Sequence, residues 1–219
     1  PDYVEALCNV GIIFNQLGRH EEAIDSYNKA IECNPEFLGA YYNLGNTLKE
    51  LGKHERAIAS LKKSIALKPD LAEAYNNLGI IFNQLKRYKE AVISYNKATE
   101  VKPCYAGAFN NLGNALNGLG NYNDAINSYK KAIEQNPKFA NAHNNLGNAL
   151  NRIGKHEEAI ISLNKAIELN PGFFSAHNNL GNALADLHQY EESIFNYKKA
   201  IELWPSFADA YNNLGNSLS

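Results

Sequence analysis

An all-α solenoid of stacked helix-turn-helix units is the fold this sequence predicts, and three observations predict it. All seven prolines, Pro1, Pro35, Pro69, Pro103, Pro137, Pro171 and Pro205, lie 34 residues apart. A fixed period in this range marks one supersecondary unit stacked many times. Each period carries two apolar stripes of helical spacing. One glycine position, Gly11, Gly45, Gly79, Gly113, Gly147, Gly181 and Gly215, recurs in every period.

The elements follow in order along residues 106–139. Ala108, Phe109, Leu112, Ala115, Leu116 and Leu119 fall on one face and predict a first helix, A. Gly120 is its expected left-handed C-cap. Asp124 opens a second helix, B, where the helix dipole favours an acid. Ala125, Ile126, Tyr129, Ala132 and Ile133 form the apolar face of B, and Pro137 ends it because its ring cannot continue a helix. A mid-helix glycine costs roughly 1 kcal/mol relative to alanine, so seven at one position predict a close approach of helix backbones. Ala23, Ala57, Ala91, Ala125 and Ala159 repeat the small-residue theme on helix B, with Ser193 in the sixth unit. Lys86 and His188 replace the turn glycine, each at a cost of about 1 kcal/mol in a left-handed cap.

The units are expected at residues 4–37, 38–71, 72–105, 106–139, 140–173 and 174–207. Residues 1–3 would end a preceding unit, and residues 208–219 would be the first helix of a seventh. The chain has no methionine, and with a partial unit at each end it reads as a segment of a longer array. Acids and bases are interspersed at a net charge of −2, which argues against nucleic acid as a partner. No run of 18 apolar residues is present, which argues against a membrane. Cys8, Cys33 and Cys104 show no Cys-x-x-Cys spacing, so free thiols in a reducing, cytoplasmic or nucleocytoplasmic compartment are expected.

The recurring Leu-Gly, Ala, Tyr, Ala and Pro positions over 34 residues resemble the tetratricopeptide repeat. The likeness covers six full repeats and the start of a seventh. The family's signature tryptophan is replaced by Leu7, Tyr41, Tyr75, Phe109, His143, His177 and Tyr211. The resemblance implies a right-handed superhelix whose A helices line a concave face.

Three asparagine columns run along the A helices. The first is Asn9, Asn43, Asn77, Asn111, Asn145, Asn179 and Asn213, without a break. The second is Asn46, Asn114, Asn148, Asn182 and Asn216, broken by Ile12 and Ile80. The third is Asn76, Asn110, Asn144, Asn178 and Asn212, with Cys8 and Tyr42 at its N-terminal end. Asparagine is a poor interior helix residue because its amide competes for the backbone. All three columns are therefore expected to face the groove and bind a partner. Consensus and composition are the competing explanation, since Asn121, Asn123 and Asn127 show asparagine to be frequent elsewhere. A neutral amide offers donors and an acceptor together and matches a peptide group. One rung would address about every third residue of an extended chain, from helix spacings of about 8–10 Å and a rise of about 3.3–3.6 Å per residue. Tyr42, Tyr75 and Phe109 would add selectivity. Alanine in place of Asn111, Asn145 and Asn179 is expected to leave the fold as stable or more so. The groove is similar to that of the tetratricopeptide arm of O-GlcNAc transferases, where the matching column holds substrate peptides by their main chain. A cationic clamp for C-terminal carboxylates, as in chaperone-tail binders, is not visible.

Other candidates point to structure. His20, His54 and His156 share one turn position and His143 and His177 another, each standing where Tyr or Phe stands in other repeats. They read as packing substitutes, so no metal is expected. Glu21–Glu22, Glu157–Glu158 and Glu191–Glu192 open B helices where the dipole accounts for them. Tyr27, Tyr95, Tyr129 and Tyr197 read as core knobs. No catalytic residue, cofactor or enzyme activity is expected in this stretch, and the oligomeric state is left open. The residues of Gly11–Leu17 recur at Gly79–Leu85, so the N-terminal half of the groove is the more apolar. An extended protein segment is expected to dock along the fourth to seventh repeats. A substrate-recruiting arm of an O-GlcNAc-type transferase, or a scaffold in a large assembly such as a ciliary one, are the alternatives.

Overall fold

Proline sets the geometry of every turn from a B helix to the next A helix. The residue before a proline is pushed out of helical conformation. Asn34, Lys68, Lys102, Asn136, Asn170 and Trp204 accordingly have φ of −128 to −145° and ψ of 87 to 98°. Each still donates its N–H to the carbonyl four residues back, as Asn34 does to Ala30 at 2.9 Å.

The structure, a computed structural model, describes residues 2–218. Pro1 and Ser219 lie outside the described residues. The A helices are α1 (Asp2–Gln16), α3 (Leu38–Glu50), α5 (Ala72–Gln84), α7 (Ala106–Gly118), α9 (Ala140–Arg152), α11 (Phe174–Asp186) and α13 (Ala208–Leu218). The B helices are α2 (His20–Cys33), α4 (His54–Leu67), α6 (Tyr88–Val101), α8 (Tyr122–Gln135), α10 (His156–Leu169) and α12 (Tyr190–Leu203). Helix α1 starts two residues before Val4. No strand occurs among the described residues. The helices form two compact units, α1 to α6 and α7 to α13, divided after Pro103.

Within a unit, each A helix packs on the B helix that follows it, and successive A helices also touch. Within each unit the backbones of successive B helices stay more than 8 Å apart at the Cα atoms. Each unit is therefore tighter on its A side, and that face is the concave one.

The glycine column has a different cause from the expected backbone approach. A Cβ on Gly79 would lie 2.5 Å from the Tyr95 ring, and one on Gly45 would lie 2.7 Å from Cγ of Leu61. The knob is a side chain from helix B, sixteen residues on, which lies where the Cβ would stand. Gly215, which has no such helix over it, has nothing within 4 Å of that position. Tyr27, Tyr95, Tyr129, Leu61, Leu163 and Tyr197 are these knobs, all buried. Gly18, Gly52, Gly120 and Gly154 cap the A helices at φ of 68 to 77°, and Lys86 and His188 take φ of 57° and 60° at the same turn. Leu119, expected in the apolar stripe, is exposed at the edge of its turn.

Candidate functional site

The asparagine columns run along the A helices, and their first partners are each other. In the second unit, Nδ2 of Asn145 donates to Oδ1 of Asn110 at 3.1 Å and to Oδ1 of Asn114 at 3.0 Å. Asn179 donates to Asn144 at 2.9 Å, and Asn213 to Asn178 at 3.0 Å. Each first-column amide thus reaches back to the third-column acceptor of the preceding repeat. In the first unit Asn77 donates to Asn46 at 2.7 Å, and Asn43 reaches only the Cys8 thiol, at 3.5 Å. Burial pushes that thiol pKa up. Asn9 is exposed, at the free edge of α1.

This corrects the expectation for the third column. Asn110, Asn144 and Asn178 are buried between A helices rather than presented to the groove. They act as acceptors that bind neighbouring repeats together. Asn111 also has a bonding partner. The second column tethers helix B instead: Tyr129 donates its hydroxyl to Asn114 at 2.9 Å, and Tyr197 donates to Asn182 at 2.8 Å. Burial raises the pKa of both hydroxyls, so they stay protonated and remain donors. Tyr75 and Phe109, expected beside the groove, face the B helices. Tyr75 lines an outer cavity, and Phe109 lies under the Lys131 ammonium at 5.5 Å.

A polar cup of 480 Å³ opens where α9, α11 and α13 meet. Asn148, Asn179, Asn182 and Asn213 form its floor, with Arg152, Asp186 and Tyr197 around them. Asn148 donates to Asn179 at 3.4 Å. After these bonds Asn179 and Asn213 each keep one amide N–H, Asn182 keeps two, and Asn148 and Asn213 keep their carbonyl oxygens. Arg152 and Asp186 were missed from sequence. The signal for them was spacing: each stands four residues after a second-column asparagine, one helical turn along the same face. In the first unit the groove holds Lys49, whose ammonium lies 3.5 Å from Oδ1 of Asn77 and whose pKa burial lowers.

Four histidines are held by amide oxygens. Nδ1 of His20 lies 2.8 Å from Oδ1 of Asn15, and Nδ1 of His156 lies 2.6 Å from Oδ1 of Asn151. His143 Nε2 meets the Pro137 carbonyl at 3.0 Å, and His177 Nδ1 meets Asn196 Oδ1 at 3.1 Å. Among the described residues no His, Cys, Asp and Glu cluster has the makings of a metal site, and no helix is long and apolar enough to cross a membrane. All three cysteines are free.

Comparison with known proteins places this geometry. A sequence model described as "TPR repeat" matches residues 11–52, 45–86 and 181–219. Three described as "Tetratricopeptide repeat" match residues 110–172, 72–103 and 162–195. Among solved structures, YrrB, described as a TPR protein with an unusual peptide-binding site, is 29% identical at a TM-score of 0.71, over 85% of this chain and 96% of its own. MamA is 30% identical at a TM-score of 0.71, over 74% of this chain and 95% of its own. The pilF protein of Pseudomonas aeruginosa, at 17% identity and a TM-score of 0.83, shares the fold over 98% of both chains. A search of curated protein sequences yields no significant match.

Proposed function

The chain belongs to the tetratricopeptide repeat family, and on that premise we propose that it holds an extended segment of a partner protein along its concave asparagine columns. Proteins of this family generally mediate protein–protein interaction. The observation that carries the proposal is the cup on α9, α11 and α13. Its amides keep donors and acceptors after the ladder has formed, and such mixed valence suits peptide N–H and C=O groups better than a charged or apolar ligand. The preference for the fourth to seventh repeats belongs to the same proposal, because the cup lies there. YrrB, 29% identical and described as having a peptide-binding site, supports it.

Peptides selected from a random library for binding to the chain are the probe. Changing Asn148 and Asn182 together to alanine removes groove-facing valence. The rungs from Asn145, Asn179 and Asn213 to the third column remain. Affinity should fall about thirtyfold, at roughly 1 kcal/mol for each of two hydrogen bonds lost. It should depend weakly on salt, because the contacts are neutral. Unchanged affinity in the double variant rejects the groove. A narrower form, the recruiting arm of an O-GlcNAc-type glycosyltransferase, rests on the Ala210–Asn216 stretch AYNNLGN. The coding sequence that follows residue 219 tests it.

A further inference from the structure

The floor of the cup on α9, α11 and α13 is made of amides, and an amide does not tell which way a peptide runs. A peptide group offers an N–H and a C=O in either direction, and a carboxamide answers both. The rim of the cup does carry polarity. Arg152 and Asp186 both line it. They stand 34 residues apart, on α9 and α11, at the same position of consecutive repeats. Gln16, Glu50, Gln84 and Gly118 hold that position in the first four repeats. A cation and an anion therefore adjoin in this column only at the cup.

The two charges do not neutralise each other. No ion pair joins them, and among the described residues the Arg152 guanidinium has no carboxylate partner. Oδ2 of Asp186 accepts Nδ2 of Asn151 at 2.8 Å and lies 3.8 Å from Nδ1 of His156. Its Oδ1 takes no bond. Burial, and with it the Asp186 charge, raises the pKa of the Tyr197 hydroxyl, so the field of that carboxylate reaches the cup. Arg152 and Asp186 are both exposed, and a ligand lying across the amides reaches each of them.

We propose, on the premise of the groove described above, that Arg152 and Asp186 set the direction and register of the bound chain. A segment with an acidic and a basic residue three apart lies with its acid at Arg152 and its base at Asp186. The spacing follows from helices about 8–10 Å apart and an extended rise of about 3.3–3.6 Å per residue. The amides supply most of the affinity. A reversed segment keeps its amide contacts but meets two like charges in place of two opposite ones. Each exposed contact of this kind changes affinity a few-fold, so the correct direction should be favoured by about tenfold.

The test uses the whole chain labelled with ¹⁵N and two peptides of one composition, Thr-Glu-Thr-Thr-Lys-Thr-amide and Thr-Lys-Thr-Thr-Glu-Thr-amide. Each carries a nitroxide on its N-terminal amine, which broadens nearby backbone amide signals. The solution is held at about pH 8, above the usual range of histidine, so that His156 does not compete for Asp186. The first peptide should broaden α9 more than α13, and the second should broaden α13 more than α9. Exchanging the charges, Arg152→Asp with Asp186→Arg, should invert both patterns. Removing them, Arg152→Gln with Asp186→Asn, should make each peptide broaden the two helices alike, and salt at about 0.5 M should do the same. Two peptides that broaden the same helix, or patterns that the exchange leaves unchanged, overturn the proposal while the groove stands. If neither peptide broadens any amide of α9, α11 or α13, the groove itself is rejected and the proposal with it.

Discussion

In the first unit the rungs between A helices run from Asn43 to a thiol at 3.5 Å and from Asn77 to Asn46 at 2.7 Å. In the second they run from Asn145, Asn179 and Asn213 to Asn110, Asn144 and Asn178 at 2.9 to 3.1 Å. The hydroxyls of Tyr129 and Tyr197 find Asn114 and Asn182, while the positions that match these two asparagines opposite Tyr27 and Tyr95 are Ile12 and Ile80. Burial raises the Tyr27 pKa to about 12 and pushes that of Tyr95 up as well. Glycine packing under the B-helix knob is the same in both units. One scaffold thus carries two kinds of groove. Shape comes from small and apolar residues that do not vary, and the polarity of the wall comes from a few A-helix positions that do.

The largest effect should come from what the units share. Gly79→Ala and Gly113→Ala each drive a Cβ into a buried tyrosine ring, and each should cost about 1–3 kcal/mol. Gly215→Ala meets nothing and should be neutral or stabilising by up to about 1 kcal/mol. Denaturant midpoints measure this, and a large difference between the first two would mean that the common packing is not equivalent.

What the units do not share comes next. Asn145→Ala leaves the Asn110 oxygen without its donor, while Asn114 keeps the Tyr129 hydroxyl, and should cost about 1–2 kcal/mol. Asn43→Ala gives up a long contact to a thiol and should cost less than about 0.5 kcal/mol, since alanine is the better helix former. Equal losses would erase the contrast between the ladders. The expectation that alanine in the first column spares stability therefore changes for the second unit: the rungs there are structural bonds before they are binding groups.

The smallest effect lies at the turns, one in each unit. Lys86→Gly relieves a left-handed backbone and should stabilise by about 1 kcal/mol. His188→Gly gives the same relief and loses the 2.8 Å bond between Nδ1 and the Tyr190 hydroxyl, so its gain should be smaller. Thermal midpoints of the two variants decide the order.

Much of this was legible in the chain. Helix B ends before proline and glycine caps helix A for local steric reasons, and local rules can be read from one period. The burial of Asn110, Asn144 and Asn178 was not legible. All three stand one residue before a groove position, and nothing in one helix says how near the next A helix comes. The turn amides show the same limit. Asn15 with His20 and Asn151 with His156 form bonded pairs, while His54 Nδ1 and the Asn83 and Asn117 carboxamide oxygens are buried without a partner. Lys49 stands five residues before His54, and Tyr88 and Tyr122 stand five after Asn83 and Asn117, so one half of each pair is missing.

By itself the sequence determined the repeat, its length, its two helices and the residues that recur along one face, because periodicity and backbone sterics act within a single unit. Only the tertiary structure decided which amides bond to which. It also decided which side of Tyr75 and Phe109 is inner and that Arg152 and Asp186 share one cup. Those outcomes depend on A helices touching while B helices stand apart, a property of stacked units that no single unit encodes.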